Sequence, residues 1–303
     1  MKNENVQSFL SNQKLELFLK SKDYSVSQES FSLMLDPSSD LLITYPQPDE
    51  VDLPKYYQSD AYISHTDGSR GFLEKAYQFV KKITIRNKVK LISPWMEESS
   101  YVLDLGCGTG DFLKACAENN WKVVGVEPNN IARNLAEKKI DLQKGKVIYK
   151  SLEKLNEDVA KELNQKFSII TLWHVLEHVP DPLLYLSTLK DLLEPNGRII
   201  LALPNFNSHD AQHYQKFWAA YDLPRHLWHF SKKAVSSLAN AVGMETEKIL
   251  PMPFDAFYVS LLSEKYAYGQ TNYLSALYRG LKSNSMAKSS GEYSSLIYIL
   301  KNN

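Results

Sequence analysis

The chain is predicted to be an α/β protein on an open parallel sheet, with a small β module ahead of it and a helical insertion near its end. Three observations carry this expectation. The run Tyr101–Leu113, YVLDLGCGTGDFL, passes from a strand-like apolar stretch through an acid and a glycine-spaced loop into a helical pattern. Strand-like and helix-like periods then alternate as far as Leu203, the signature of crossover-linked parallel strands. Three short strand-like runs, Lys14–Lys20, Phe31–Leu35 and Leu41–Tyr45, precede Pro48.

Composition bounds the rest. With 303 residues and 44% apolar content the chain can bury one large domain plus an appendage. The 35 basic and 35 acidic residues cancel, which removes any global electrostatic drive toward nucleic acid, so no nucleic-acid partner is expected. MKNENVQSFLSNQ lacks an apolar core of leader length and no later run approaches membrane-spanning length, so a cytoplasmic location is expected. Cys107 and Cys116 are the two cysteines, which excludes a disulfide framework.

Taken in order, residues 1–60 form the β module, and 61–95 a linker with an amphipathic helix. The linker contains Tyr62 and His65 in an aromatic, hydroxyl-rich stretch. From Gly71 to Trp95, apolar residues at helical spacing alternate with Lys75, Lys81, Lys82, Arg86, Lys88 and Lys90. Such a helix presents either a solvated face or a peripheral contact with an acidic membrane surface. Residues 96–303 form the main domain. After the strand Tyr101–Leu105 comes the loop of Gly106, Gly108 and Gly110, whose missing Cβ atoms allow close backbone approach to a ligand. The spacing GxGxG is neither the GxGxxG of a dinucleotide loop nor a loop ending in GK[ST].

The second strand, Trp121–Val126, ends in Glu127 and Pro128, where a carboxylate can accept hydrogen bonds from both hydroxyls of a ribose. Helix Ile131–Lys138, strand Lys146–Tyr149, a helix near Glu157–Leu163 and strand Phe167–Leu172 follow. Next stand Trp173 and His174. His174, Glu177 and His178 at i, i+3, i+4 would share one face of a helical turn, as a base with an orienting carboxylate, as a metal site, or as a structural turn. Helix Leu183–Leu193 and strand Arg198–Leu203 lead to FWAAYDLPRHLWHFS. There Trp218, Tyr221, Arg225, His226 and His229 read either as a pocket wall or as a packed loop. A helix from Ser231, a strand Met244–Leu250, helices Phe254–Tyr268 and Tyr273–Leu281 and a strand Glu292–Leu300 complete the chain. The insertion 251–291 is the candidate substrate cover.

LDLGCGTG followed by GVEPN, with ITLWHVLEHVPDP, NGRIILALPN and RHLWHFS, resembles the class I S-adenosylmethionine-dependent methyltransferases. Within them it is most similar to the branch labelled ubiquinone-biosynthesis-type O-methyltransferases, from about Asp60 onward. The resemblance implies a Rossmann-like, doubly wound sheet of seven strands with the last antiparallel. It implies S-adenosylmethionine as cofactor, S-adenosylhomocysteine as product and a small-molecule acceptor methylated at oxygen. Cofactor contacts are expected from Asp104, Gly106, Cys107, Gly108, Gly110, Glu127, Pro128, Leu152, Trp173 and His174, although the usual acid after the third strand is missing. Acceptor contacts are expected from Tyr62, His65, Trp218, Tyr221 and Arg225, and a base for the acceptor proton from His174, His178, His226 or His229.

Relatives with this layout carry a zinc ribbon at the N-terminus. Its cysteine positions would fall near Gln7, Leu10, Asp36 and Ser39, so the module is expected to be degenerate and without metal. The corresponding ExxEH segment of quinone O-methyltransferases has been linked to a divalent cation, but its first acid is His174 here, so no metal is expected there either. Two further readings stand beside this one: a sugar or polysaccharide-precursor methyltransferase, and a non-catalytic cofactor-binding scaffold.

Overall fold

Strands β1 (Glu16–Lys22), β2 (Ser30–Asp36) and β3 (Leu41–Tyr45) form an antiparallel meander, to which β9 (Trp228–His229) adds antiparallel beside β3. The computed structural model describes residues 8, 10, 11, 13–49, 51–57, 72–140, 147–149, 151, 152 and 166–303. Period-two alternation explains β2: Phe31 and Leu33 point inward and are buried, while Ser30 and Ser32 face the other way. At the end of β2 the buried Asp36 accepts hydrogen bonds from Ser11 Oγ (2.9 Å), Ser38 Oγ (2.6 Å) and Ser39 Oγ (2.7 Å). Burial pushes this carboxyl upward, but the hydroxyls of Ser38, Ser8, Ser39 and Ser11 outweigh it and hold the group well below the usual carboxylate range.

The remaining elements are α1 (Phe72–Ile92), β4 (Tyr101–Leu105), α2 (Asp111–Glu118), β5 (Lys122–Val126), α3 (Asn130–Lys139), β6 (Val147–Tyr149), β7 (Phe167–Trp173) and α4 (Pro182–Leu192). They continue as β8 (Leu193–Pro204), α5 (His209–Tyr214), α6 (Lys232–Ala241), β10 (Met244–Pro251), α7 (Asp255–Tyr268), α8 (Tyr273–Ser290) and β11 (Ser295–Asn302). The second sheet has the order β10-β11-β8-β7-β4-β5-β6, with β7, β4, β5 and β6 parallel. The expected α/β class is observed. Its central strands are near-continuous apolar runs, as burial on both faces requires: Val102, Leu103 and Leu105 of β4 are fully buried.

Two expectations need correction. The strand expected over Arg198–Leu203 is longer than its apolar run, since β8 begins at Leu193, directly after α4, and runs to Pro204. His174, Glu177 and His178 do not share a helical turn. His174 takes a left-handed φ of 59° at a bend, which breaks any helical path, and only Leu176–His178 form a 3-10 turn. The helix expected near Glu157–Leu163 lies outside the described residues.

By packing, the chain groups into two compact units: residues 1–63, Leu176–Tyr185 and Ala202–Tyr298 in one, and residues 64–175, Leu186–Leu201 and Ile299–Asn303 in the other. The contacts group Ala202–Tyr298 with the small sheet. The core of that unit shows why, since Phe31, Leu33 and Leu42 pack in one cluster with Phe206, Tyr214, Trp218 and Tyr221.

Candidate functional site

The loop after β4 is built by its glycines. Gly106 and Gly110 have φ of 66° and 79°, and an added Cβ would lie 2.5 Å from Val175 Cγ2 or 2.8 Å from Ala136 Cβ, so packing admits no side chain at either. Gly108 differs, because a Cβ there would meet nothing within 4 Å. Gly106 N and Cys107 N both donate to Val126 O, at 2.8 and 3.1 Å, which ties the loop to the end of β5.

Glu127 closes the arrangement. Its carboxylate accepts from Gly108 N (2.9 Å) and Asn129 N (2.8 Å), one to each oxygen, and the residue is 8% exposed. Each oxygen retains acceptor capacity, so the group can still take two further donors. Pro128 is exposed beside it, and Asn129 caps α3 by accepting from Ile131 N and Ala132 N. Asp111, the first residue of α2, forms ion pairs with Lys81 (2.7 Å) and Lys139 (2.9 Å) and so fastens α1 and α3 to α2.

Asp104 is 3% exposed and accepts from Thr171 Oγ1 at 2.6 Å. Burial raises its pKa to about 7, against the opposing effects of Thr171 and Lys88. The folded chain therefore holds this proton where the unfolded chain has lost it. The resulting stabilisation is fully present below the ordinary aspartate value and is lost as pH rises through about 7. Melting curves without ligand should show stability falling by a few kcal/mol from pH 5 to 8, and Asp104→Asn should flatten that slope. Equal slopes in both proteins would refute the assignment.

At the end of β7 the Trp173 ring stands edge-on to Phe112 (5.7 Å) and under the Lys88 ammonium (4.0 Å). Its Nε1 is buried and has no hydrogen-bond acceptor among the described residues, which leaves a donor for a ligand. Leu152 is buried, and His174 follows Trp173 at the bend. Burial raises the thiol pKa values of Cys107 and Cys116, so both are neutral and unsuited to nucleophilic work.

In the other unit His178, His226 and His229 form a cluster. His178 Nδ1 lies 3.0 Å from Arg225 O and 3.2 Å from Tyr57 Oη; since a carbonyl only accepts, Nδ1 carries the proton and Nε2 is the basic nitrogen. His226 likewise uses Nδ1 on Ala220 O (2.9 Å), and its ring meets that of His178 edge-on at 4.6 Å. Thr44 Oγ1 donates to His226 O and accepts from His229 Nε2, at 2.6 and 3.0 Å. Burial, with His178 nearby, lowers His226 to about 4; burial holds His229 well below the usual histidine value. Glu177, His178 and His226 each offer a ligand atom, all within 4.8 Å of one another, a mixed nitrogen and oxygen set that a divalent cation could accept.

The juxtaposition of Glu177 with His226 is not encoded by sequence spacing, because His226 lies far along the chain. Two hydrogen bonds create it: Leu227 N to Glu177 O and Trp228 Nε1 to Val179 O, both 2.8 Å.

Of the expected acceptor residues, Trp218 is 2% exposed with Nε1 on Asp210 Oδ2 (2.8 Å), and Tyr221 is 3% exposed, edge-on to Trp218. Arg225 is buried. It donates to Asp222 through Nε (2.9 Å) and Nη2 (2.6 Å), to Tyr56 O (2.8 Å) and to Ser25 Oγ (2.6 Å), and pairs with Asp23 at 3.4 Å. Tyr62 and His65 lie outside the described residues.

Comparison with known proteins gives three findings. A family model described as methyltransferase domain matches residues 76–249. The ubiquinone biosynthesis O-methyltransferase of Nitrosospira multiformis is 25% identical over 185 residues, 58% of this chain and 74% of that protein. The protein of the same name from Coxiella burnetii is 31% identical over 112 residues, and there the match spans 36% of this chain and 46% of the relative. Among solved structures, the magnesium protoporphyrin IX methyltransferase of Synechocystis with bound SAH has the same general fold, with a TM-score of 0.54 at 15% identity over 84% of this chain and 100% of that one. The cyclopropane synthase MmaA2 of Mycobacterium tuberculosis gives 0.51 at 14% identity, over 84% and 99%.

Proposed function

Because this chain belongs to the methyltransferase-domain family, we propose that it transfers the methyl group of S-adenosylmethionine to an oxygen of a small-molecule acceptor. The observation that carries the reading is the clasp of Glu127 over the open glycine at position 108. A carboxylate with spare acceptor capacity beside an unobstructed backbone suits a ribose, and the unpartnered Trp173 Nε1 adds a donor in the same unit. In this reading Asp104, Gly106, Cys107, Gly110, Pro128, Leu152 and His174 complete the cofactor site. β11 is the inserted antiparallel strand of the doubly wound sheet, and residues 1–60 are a ribbon-derived module held without metal.

The sulfonium supplies an electrophilic methyl, so the chain's own work is to align the acceptor, exclude water and take the hydroxyl proton. His178 is assigned the proton. Its Nδ1 is committed to Arg225 O, which leaves Nε2 free to accept, whereas His226 is too weak a base and His229 is spent on Thr44. Arg225 sets the position of that carbonyl through its bonds to Asp222.

Calorimetry with S-adenosylmethionine, S-adenosylhomocysteine and NAD tests the cofactor; tight NAD binding would sink the reading. Glu127→Ala should weaken binding of the first two by about 1.5–3 kcal/mol, the worth of hydrogen bonds to a charged acceptor. Retention of S-adenosylmethionine with no conversion on any acceptor would favour a binding scaffold instead.

A further inference from the structure

The small sheet presents a basic face. Lys20 is paired with Ser32, which is paired with Tyr45, and Lys22 is paired with Ser30 on the next rung of the same face. Lys216 from the 3-10 turn Gln215–Phe217 and Lys265 from α7 join Lys20 and Lys22 around a cavity of about 880 Å³. No carboxylate lines it, and none of the four lysines is in an ion pair among the described residues. Taking on a polyanion therefore breaks no salt bridge among the described residues.

One wall is aromatic. Tyr24 stacks on Tyr266 (5.2 Å, 17°) and leans on Phe217 (5.4 Å), and the Lys22 and Lys216 ammonium groups lie 5.0 and 5.1 Å from the Tyr24 and Phe217 rings. The wall is also built to stay in place. Asp23 accepts from Ser25 N, Val26 N and Ser27 N, while Arg225 pairs with Asp23 and donates to Ser25 Oγ, so the turn carrying Tyr24 is anchored from beneath.

Charge and shape together select the ligand class. The volume falls in the range of small-molecule sites, roughly 300–1,000 Å³. The whole chain is neutral, so this is a local positive patch of small-ligand size rather than a nucleic-acid surface. We propose that this cavity binds a nucleoside diphosphate, its phosphates among Lys20, Lys22, Lys216 and Lys265 and its base against the Tyr24–Phe217–Tyr266 wall. The proposal is independent of the methyl-transfer reading, since no residue lining the cavity is among those assigned to the cofactor or to the acceptor proton.

Titration calorimetry of the full chain with uridine diphosphate, pyrophosphate and uridine decides it, each repeated with saturating S-adenosylhomocysteine. Uridine diphosphate should bind in both conditions, more weakly as salt is raised, while uridine alone does not bind. The double variant Lys20→Glu/Lys265→Glu, altered at two exposed side chains, should lose about tenfold or more of that affinity and keep its S-adenosylhomocysteine affinity. The absence of uridine diphosphate binding at roughly 1 mM would overturn the proposal. So would displacement by S-adenosylhomocysteine, pyrophosphate binding as tight as the nucleotide's, or unchanged affinity in the double variant.

Discussion

His178→Gln is expected to lower methyl transfer by about 10²–10⁴-fold while S-adenosylhomocysteine affinity stays within a factor of two or so. Glutamine can keep a donor on Arg225 O, the bond made at 3.0 Å by Nδ1, but it offers no basic nitrogen in place of Nε2. His226→Gln is the matched control. An imidazole that protonates only near pH 4 drives little proton abstraction at neutral pH, so its loss should show mainly as a lower melting temperature, through the bond to Ala220 O. A chelator separates the base from the other use of this cluster. If wild-type turnover collapses on chelation and returns with added cation, then Glu177, His178 and His226 act by holding metal, and the assignment of His178 as base fails.

Arg225→Met should cost about 3–5 kcal/mol of stability, the range seen when one partner of a buried ion pair is removed. The guanidinium satisfies both oxygens of Asp222 and a backbone carbonyl, and Asp222 is half-buried with its carboxyl held below the usual range despite burial, largely by this arginine. Asp23 keeps its own backbone and hydroxyl donors, so most of the loss should come from Asp222. Adding Asp222→Asn should accordingly restore part of the stability. Denaturant titration of the three proteins tests this. Unchanged stability with lost turnover in Arg225→Met would return the arginine to the acceptor-binding role that its sequence context suggested.

What the sequence made legible was whatever is local. β3 occupies Leu41–Tyr45 as its apolar run indicates, and Ser231 caps α6 through Ala234 N. The glycine loop was readable because two of its glycines are sterically forced. α8 extends to Ser290, well beyond the expected Leu281, because its buried face there is Ser283 and Ala287, small residues that leave no apolar period to detect. His174 defeated the helical spacing argument because a single left-handed residue interrupts it. The fastening of Asp111 by Lys81 and Lys139 and the Glu177–His178–His226 cluster depend on long-range contacts that no spacing rule encodes.

The Asp36 hub has a physiological consequence. A module fastened by thiolates and zinc would depend on metal supply and on a reducing compartment, since chelation or oxidation removes the fastening. Here the same stretch is gathered by a carboxylate and the hydroxyls of Ser11, Ser38 and Ser39, groups that neither oxidise readily nor need an ion. The hub's contribution persists at every pH above the ordinary aspartate range and fades only as strong acid protonates Asp36. The fastening that Asp36 and these hydroxyls supply therefore needs neither an ion nor a thiol, and strong acid is the condition that loosens it.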